Sequence, residues 1–192
     1  EAKKMANEQV EIFSSIINAS TPLVGIEPSA ILGFRDEYLD LVDPALLEKS
    51  KELSQHVFLF EEWFMREADK GKISTSSFTA ASKKIKIHGH CHQKSQASMT
   101  PVKRALSFPE HYEARLIPSG CCGMAGSFGY EHEHYDISIQ VGELVLFKTV
   151  RSLDEETEIA ASGTSCRHQI KDGTGRRALH SIEVLFNALK ED

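Results

Sequence analysis

The four cysteines of this 192-residue chain each stand a few residues beyond a short apolar segment rich in β-formers. Lys84–Ile87 runs into His88-Gly89-His90-Cys91-His92. Glu113–Ile117 runs into Pro118-Ser119-Gly120-Cys121-Cys122-Gly123, and Glu158–Ala161 into Ser162-Gly163-Thr164-Ser165-Cys166. An earlier segment of the same kind, Pro22–Glu27, ends in Glu27-Pro28-Ser29-Ala30, with Ala30 where the pattern would place a thiol. Helical patterns lie between most of these segments, so the predicted fold is α/β: a parallel β-sheet with helices on both faces. In such a sheet the carboxyl ends of the strands share one edge, where open α/β folds bind ligands. The pattern predicts that all four thiols converge there, forming a cysteine site at the C-terminal edge of the strands.

The helices are read from apolar spacing. Val10, Phe13, Ile16 and Ile17 recur ahead of the first strand. Leu53, Val57, Phe60 and Phe64 form a stripe after it, stopping at Asp69-Lys70-Gly71, where a cation and then glycine mark a helix end. Ile137, Val141 and Leu144 form a third stripe, and Ile182, Leu185 and Leu189 a fourth. Pro101–Leu106 leaves room for a short helix. Trp63 and its phenylalanine neighbours are expected in the core. Gly71–Ser82 is the one linker-like stretch, dividing the chain into residues 1–72 and 83–192 within one compact unit.

Composition closes off other classes. Apolar residues are 41% and charged residues 26%, an ordinary globular balance. A net charge of −6 argues against nucleic acid or an anionic membrane as the main partner. The longest apolar runs, Val57–Phe60 and Leu144–Phe147, are too short to span a bilayer. The chain opens at Glu1 in a helix-like stretch without an export signal, which reads as a fragment of a longer protein. A reducing cytoplasm is expected, with the inner face of the membrane as the alternative. Adjacent cysteines bridge each other only with strain, so free thiols are expected.

Thiolates at this density are soft ligands for an iron–sulfur cluster or zinc. Structural zinc prefers C-x2-C pairs, and there are none. Adjacent thiolates reach different irons of one cluster more easily than one ion, so spacing favours the cluster. Gly123, Gly126 and Gly129 read either as tight turns or as a way to aim backbone N–H groups at sulfur. Cys91 between His90 and His92 also suits a nucleophile, but a phosphatase-type loop needs an arginine where Ala97 stands. His88, His90 and His92 are polar loop residues or ligands and donors, with His90 and His92 ahead of His88. His168 and Gln169 are candidates to line the site. His132 and His134 read as a solvated helix start. Arg35, Asp36 and Glu37 suit an anion site or a salt bridge.

The wording HGHCHQK, SGCCGMAGSFGYE, GTSCRHQI and EPSAILGFRDEY resembles the cysteine-rich CCG domain. That domain occurs in heterodisulfide reductases, in the iron–sulfur subunit of glycolate oxidase and in fused FAD-linked dehydrogenases, and the last group is the most similar. The resemblance covers nearly the whole chain. Its pattern is Cys, Cys-Cys-Gly, then C-x-x-C, present twice. Cys91, Cys121, Cys122 and Cys166 match the second copy as cofactor ligands, with His90 and His92 as further candidates. Gly123, Gly126, His168 and Gln169 surround them. Gly163 stands where the first cysteine of C-x-x-C would be, and Ala30 where the first copy would close. The resemblance implies residues 1–72 as the remnant of a first half and residues 83–192 as a complete second half. It also implies an electron-transfer module carrying a 4Fe-4S or related iron–sulfur cluster, or zinc. FAD belongs to the parent enzyme, a D-lactate, glycolate or 2-hydroxyglutarate dehydrogenase. Flavin and ferredoxin-like domains of the same chain are the implied partners, a quinone is a candidate acceptor, and the fragment alone is not expected to catalyse. The alternative is a degenerate or structural module, holding zinc or no metal, that acts in docking.

Overall fold

A computed structural model describes residues 1–190 and shows an α/β protein with all-parallel strands in two sheets and helices around them. The chain divides into two compact units, Glu1–Trp63 and the residues from Phe64 onward.

In the first unit, strands β1 (Leu23–Gly25) and β2 (Val57–Leu59) pair in parallel, with helices α1 (Ala2–Ser14) and α2 (Leu47–Ser54) beside short helical turns. The stripe through Leu53, Val57, Phe60 and Phe64 is not one helix. Val57 and Leu59 are buried and Phe58 is half-buried, a strand alternation, and helix α3 (Phe60–Asp69) begins only after it. In so short an apolar run, helical spacing and strand alternation are hard to tell apart. The helix end at Asp69 is where the sequence places it, with Gly71 at φ 74°. Helix α1 stops at Ser14, short of Ile16 and Ile17, because the Ser14 and Ser15 hydroxyls donate back to the carbonyls of Glu11 and Ile12. Arg35 makes a salt bridge. Its guanidinium holds both carboxylate oxygens of Glu62 and donates to the Val57 carbonyl. Glu62 in turn accepts from the Leu59 amide, so the pair ties down β2.

The second unit carries the cysteines. Strands β3 (Lys83–His88), β4 (Tyr112–Leu116) and β5 (Glu158–Ala161) form a sheet in the order β4-β3-β5, and β3 is central. Its helices are α4 (Cys91–Gln96), α5 (Thr100–Leu106), α6 (Tyr135–Leu144), α7 (Leu146–Arg151), α8 (Thr164–Thr174) and α9 (Ser181–Phe186). Register fixes the edge: Ile87 faces Leu116 and Ala160, and His88 faces Ala161. The segments that follow, His88–Cys91, Pro118–Cys122 and Ser162–Cys166, therefore leave the sheet side by side. Helix α8 ends on Gly175 in the left-handed conformation (φ 73°). Helix α9 starts with a reciprocal cap, in which His180 Nδ1 accepts from Ile182 N and Glu183 accepts from His180 N.

The core of this unit gathers Ile117, Met124, Leu146, Phe147, Val150, Ile159 and Ile170 around Cys122 and Cys166. Fully buried Phe147 is pressed between two glycines, since a Cβ on Gly142 or Gly173 would lie 2.3 Å from its ring. The two expected stripes of this unit turn out differently. On α6, Ile137 and Leu144 are exposed, and Ser138 and Gly142 face inward. Helix α9 buries Val184 and Leu185 but ends at Phe186, so Leu189 lies beyond it and is exposed. Phe64, Phe78 and Phe108 meet edge to face, with ring centroids 5.3–6.3 Å apart. Trp63 and Phe60 are only half-buried. Gly71–Ser82 is anchored rather than loose, because Phe78 is buried and bridges Leu189. Among the described residues no helix is long and apolar enough to cross a membrane.

Phe147→Ala is expected to cost about 3–5 kcal/mol in urea unfolding and Gly142→Ala about 1–3 kcal/mol by overpacking. A neutral Gly142→Ala would contradict the close approach.

Candidate metal centre

The three strand ends deliver four free thiols to one place. Cys91 opens helix α4 and is exposed, Cys121 is half-buried, and Cys122 and Cys166 are buried. The sulfurs interact in a line, Cys91 with Cys121, Cys121 with Cys122, and Cys122 with Cys166. At the buried end, one His88 ring nitrogen and the sulfurs of Cys122 and Cys166 all lie within 4.8 Å of one another. Metal–sulfur bonds of about 2.3 Å around a tetrahedral ion put sulfurs roughly 3.8 Å apart, so this donor set fits a metal with small adjustments.

The Cys-Cys-Gly loop is shaped to hold its sulfurs. Gly123 (φ 107°), Ala125 (φ 41°) and Gly126 (φ 72°) all take left-handed conformations. The resulting coil aims backbone N–H groups at sulfur. Gly123 N donates to Cys121 Sγ at 3.3 Å, Ala125 N–H supports the same sulfur, and Met124 N–H supports Cys122. Only glycine fits at 123, where a Cβ would lie 2.1 Å from the Ser138 carbonyl. Buried Gln169 on α8 donates from Nε2 to the Cys122 carbonyl at 3.1 Å and to Ser138 Oγ at 2.8 Å, tying the loop to α6. Lys94 on α4 caps the other side by donating to the Ser119 and Gly120 carbonyls, each at 2.8 Å.

Electrostatics argue for a cation here. The Cys122 thiol and burial push Cys121 well above the usual thiol value. The Cys121 thiol favours a Cys122 thiolate, but the Cys166 thiol and burial outweigh it and push Cys122 up as well. Burial and the Cys121 charge raise Cys91, which leaves it a poor nucleophile. Clustered sulfurs cannot share several negative charges unaided, whereas a bound cation deprotonates coordinating thiols outright. Burial, aided by Lys94, pulls His88 down to about 4, so its imidazole is neutral and able to ligate.

The histidines take different positions. His88, the last residue of β3, reaches the thiols. His90 is buried with its ring over Gly163, where an added Cβ would lie 2.3 Å from His90 Cδ2 and 3.3 Å from Cys166 Sγ. His92 is half-buried. His168 is exposed and its Nδ1 bonds the Tyr130 hydroxyl at 2.8 Å. Gly126 serves the turn, with open space around it. His134 stacks on Phe128 at 4.1 Å. Ala30 lies in the first unit, lining an apolar groove with Phe13, Ile26, Ile31 and Phe34. Lys94, Ser119 and Ser138 carry no sequence signal of their own, because each acts through contacts distant in sequence.

With this geometry in hand, comparison with known proteins gives a consistent direction. The chain is 29% identical over 191 residues to D-2-hydroxyglutarate dehydrogenase of Escherichia coli K12 and 29% identical over 189 residues to that of Pseudomonas putida. It is 26% identical over 189 residues to a subunit of the anaerobic glycerol-3-phosphate dehydrogenase of Escherichia coli K12. These alignments cover 97%, 95% and 98% of this chain but only 17%, 17% and 46% of the relatives. The chain thus spans about a sixth of the length of the two D-2-hydroxyglutarate dehydrogenases. No family profile matches it, and neither does any solved structure. The relatives share an oxidoreductase theme.

Gln169→Glu puts a carboxylate against the Cys122 carbonyl in place of a donor. It is expected to cost about 1–3 kcal/mol in urea unfolding, while Gln169→Ala with its smaller penalty orders between it and the parent. Unchanged stability in both variants would contradict the role given to this amide.

Proposed function

We propose that this chain is the iron–sulfur electron-transfer module of a FAD-linked D-2-hydroxyacid dehydrogenase and that its second unit is a CCG-type half-domain. The observation that carries this reading is the line of four thiols from exposed Cys91 to buried Cys166 on one sheet edge. The similarity to D-2-hydroxyglutarate dehydrogenases and to a glycerol-3-phosphate dehydrogenase subunit supports it.

In this reading Cys91, Cys121, Cys122 and Cys166 hold the cluster, with residues 83–192 as the complete half and residues 1–72 as the remnant of another. An iron–sulfur cluster held there would supply one-electron transfer between a reduced flavin and an acceptor such as a quinone. The protein's own part is placement and electrostatics. Backbone N–H groups of Gly123, Met124 and Ala125 offset sulfur charge, Gln169 and Lys94 fix the loop, and the exposed Cys91 end faces outward for exchange with a partner. Flavin and ferredoxin-like domains of a longer parent chain are the proposed partners, and the cytoplasm, at or near the inner membrane face, is the proposed setting. The hydroxy acid is oxidised at the flavin of that parent, not in this module.

A second reading, a structural zinc module, draws on the compact His88–Cys122–Cys166 set, which suits a single ion. The two diverge in the parent enzyme. If the site is a redox centre, Cys91→Ser leaves the flavin reducible by substrate but stops onward transfer. If it is structural zinc, the variant loses stability and keeps transfer. Cys121→Ser and Cys122→Ser are each expected to abolish iron incorporation in the isolated chain, and unchanged iron in both would overturn the proposal.

A further inference from the structure

His88 is the histidine that the strand pattern makes easiest to dismiss, since it closes the central strand of the sheet. It is only 1% exposed. Its Nδ1 is engaged with Ser119 Oγ at 2.8 Å, while its Nε2 is buried and has no hydrogen-bond partner. A buried polar nitrogen left without a partner is uncommon in native proteins and requires a reason. The immediate surroundings supply one, because Cys122 and Cys166 offer their sulfurs within 4.8 Å of this imidazole.

The Ser119 contact sets up the ring for ligation. A serine hydroxyl can accept the Nδ1 proton, and this tautomer leaves the Nε2 lone pair for a metal. Ser119 is itself buried and its carbonyl is held by Lys94 Nζ, so the partner that orients the ring is fixed in turn. A hydrogen-bonded residue behind a ligating histidine is the usual way its tautomer and orientation are set. Gly163, on the neighbouring chain segment, offers no donor of its own, and the space its Cβ would take is filled by the His90 ring.

We propose that His88 is a metal ligand through Nε2, completing with Cys122 and Cys166 the buried end of the cluster site, and that Ser119 is its positioning residue. The proposal rests on the iron–sulfur reading above and adds a nitrogen ligand to it. The donor set becomes asymmetric: imidazole at the buried end and thiolate only at the Cys91 end. A neutral imidazole, where the C-x-x-C pattern would add a further thiolate at Gly163, leaves the bound cluster less negative and raises its reduction potential, as histidine ligation does in other iron–sulfur centres.

The test uses the whole chain, loaded anaerobically with iron and sulfide and grown with either natural or 15N-labelled histidine. Iron content is measured first, and the reduced samples are then examined for nitrogen hyperfine coupling by pulsed electron paramagnetic resonance. The expected result is a histidine-nitrogen coupling that changes with the label, persists in His90→Gln and His92→Gln, and vanishes in His88→Gln. Ser119→Ala is expected to keep the coupling but to lose iron to a chelator about tenfold faster. If His88→Gln does not fold, a label-sensitive coupling retained in both other variants still supports the assignment. Iron bound without label-sensitive coupling overturns the His88 ligand and leaves the cluster reading standing, as does coupling that survives a folded His88→Gln. No retained iron overturns both.

Discussion

The thiol site depends on the two parallel ladders of β3. Pairing Ile87 with Leu116 on one side and with Ala160 on the other brings three chain segments off the sheet at one level. Parallel pairing requires long crossovers, and those crossovers separate the cysteines so widely in sequence. Residues dozens of positions apart become neighbours without any local ligand motif. A one-residue slip would turn His88 to the other face of the sheet.

On that frame the site is built by subtraction as much as by addition. Gly123, Gly129, Gly142 and Gly163 all sit where a side chain would collide with Ser138, with Phe147 or with His90. The backbone can then coil tightly enough to turn its N–H groups toward sulfur. The hydrophobic cluster runs directly into Cys122 and Cys166. Burial strengthens every electrostatic interaction at that end and makes uncompensated thiolates costly. The raised thiol values of Cys121 and Cys122 express this conflict, which a bound cation would resolve.

Much of this is legible in the sequence because strand ends carry a plain signature: a short β-rich run followed by small residues and cysteine. The strand Glu158–Ala161 and the stop after Asp69 can be read directly. What escapes depends on tertiary contacts. Val57 reads as helical because a three-residue strand leaves too little alternation to outweigh apolar spacing. The apolar stripe of α6 faces outward because the inward face is claimed by Ser138, which Gln169 and Gly123 approach, and by Gly142 under Phe147. His88, which the sequence ranks behind His90 and His92, closes β3 with a ring nitrogen within 4.8 Å of the Cys122 and Cys166 sulfurs.

The central claim is that this edge holds an iron–sulfur cluster, and the direct measurement is iron and acid-labile sulfide on anaerobically prepared protein, read beside its visible spectrum. The account predicts iron with matching sulfide and broad thiolate-to-iron absorption. About one zinc per chain without sulfide would contradict it.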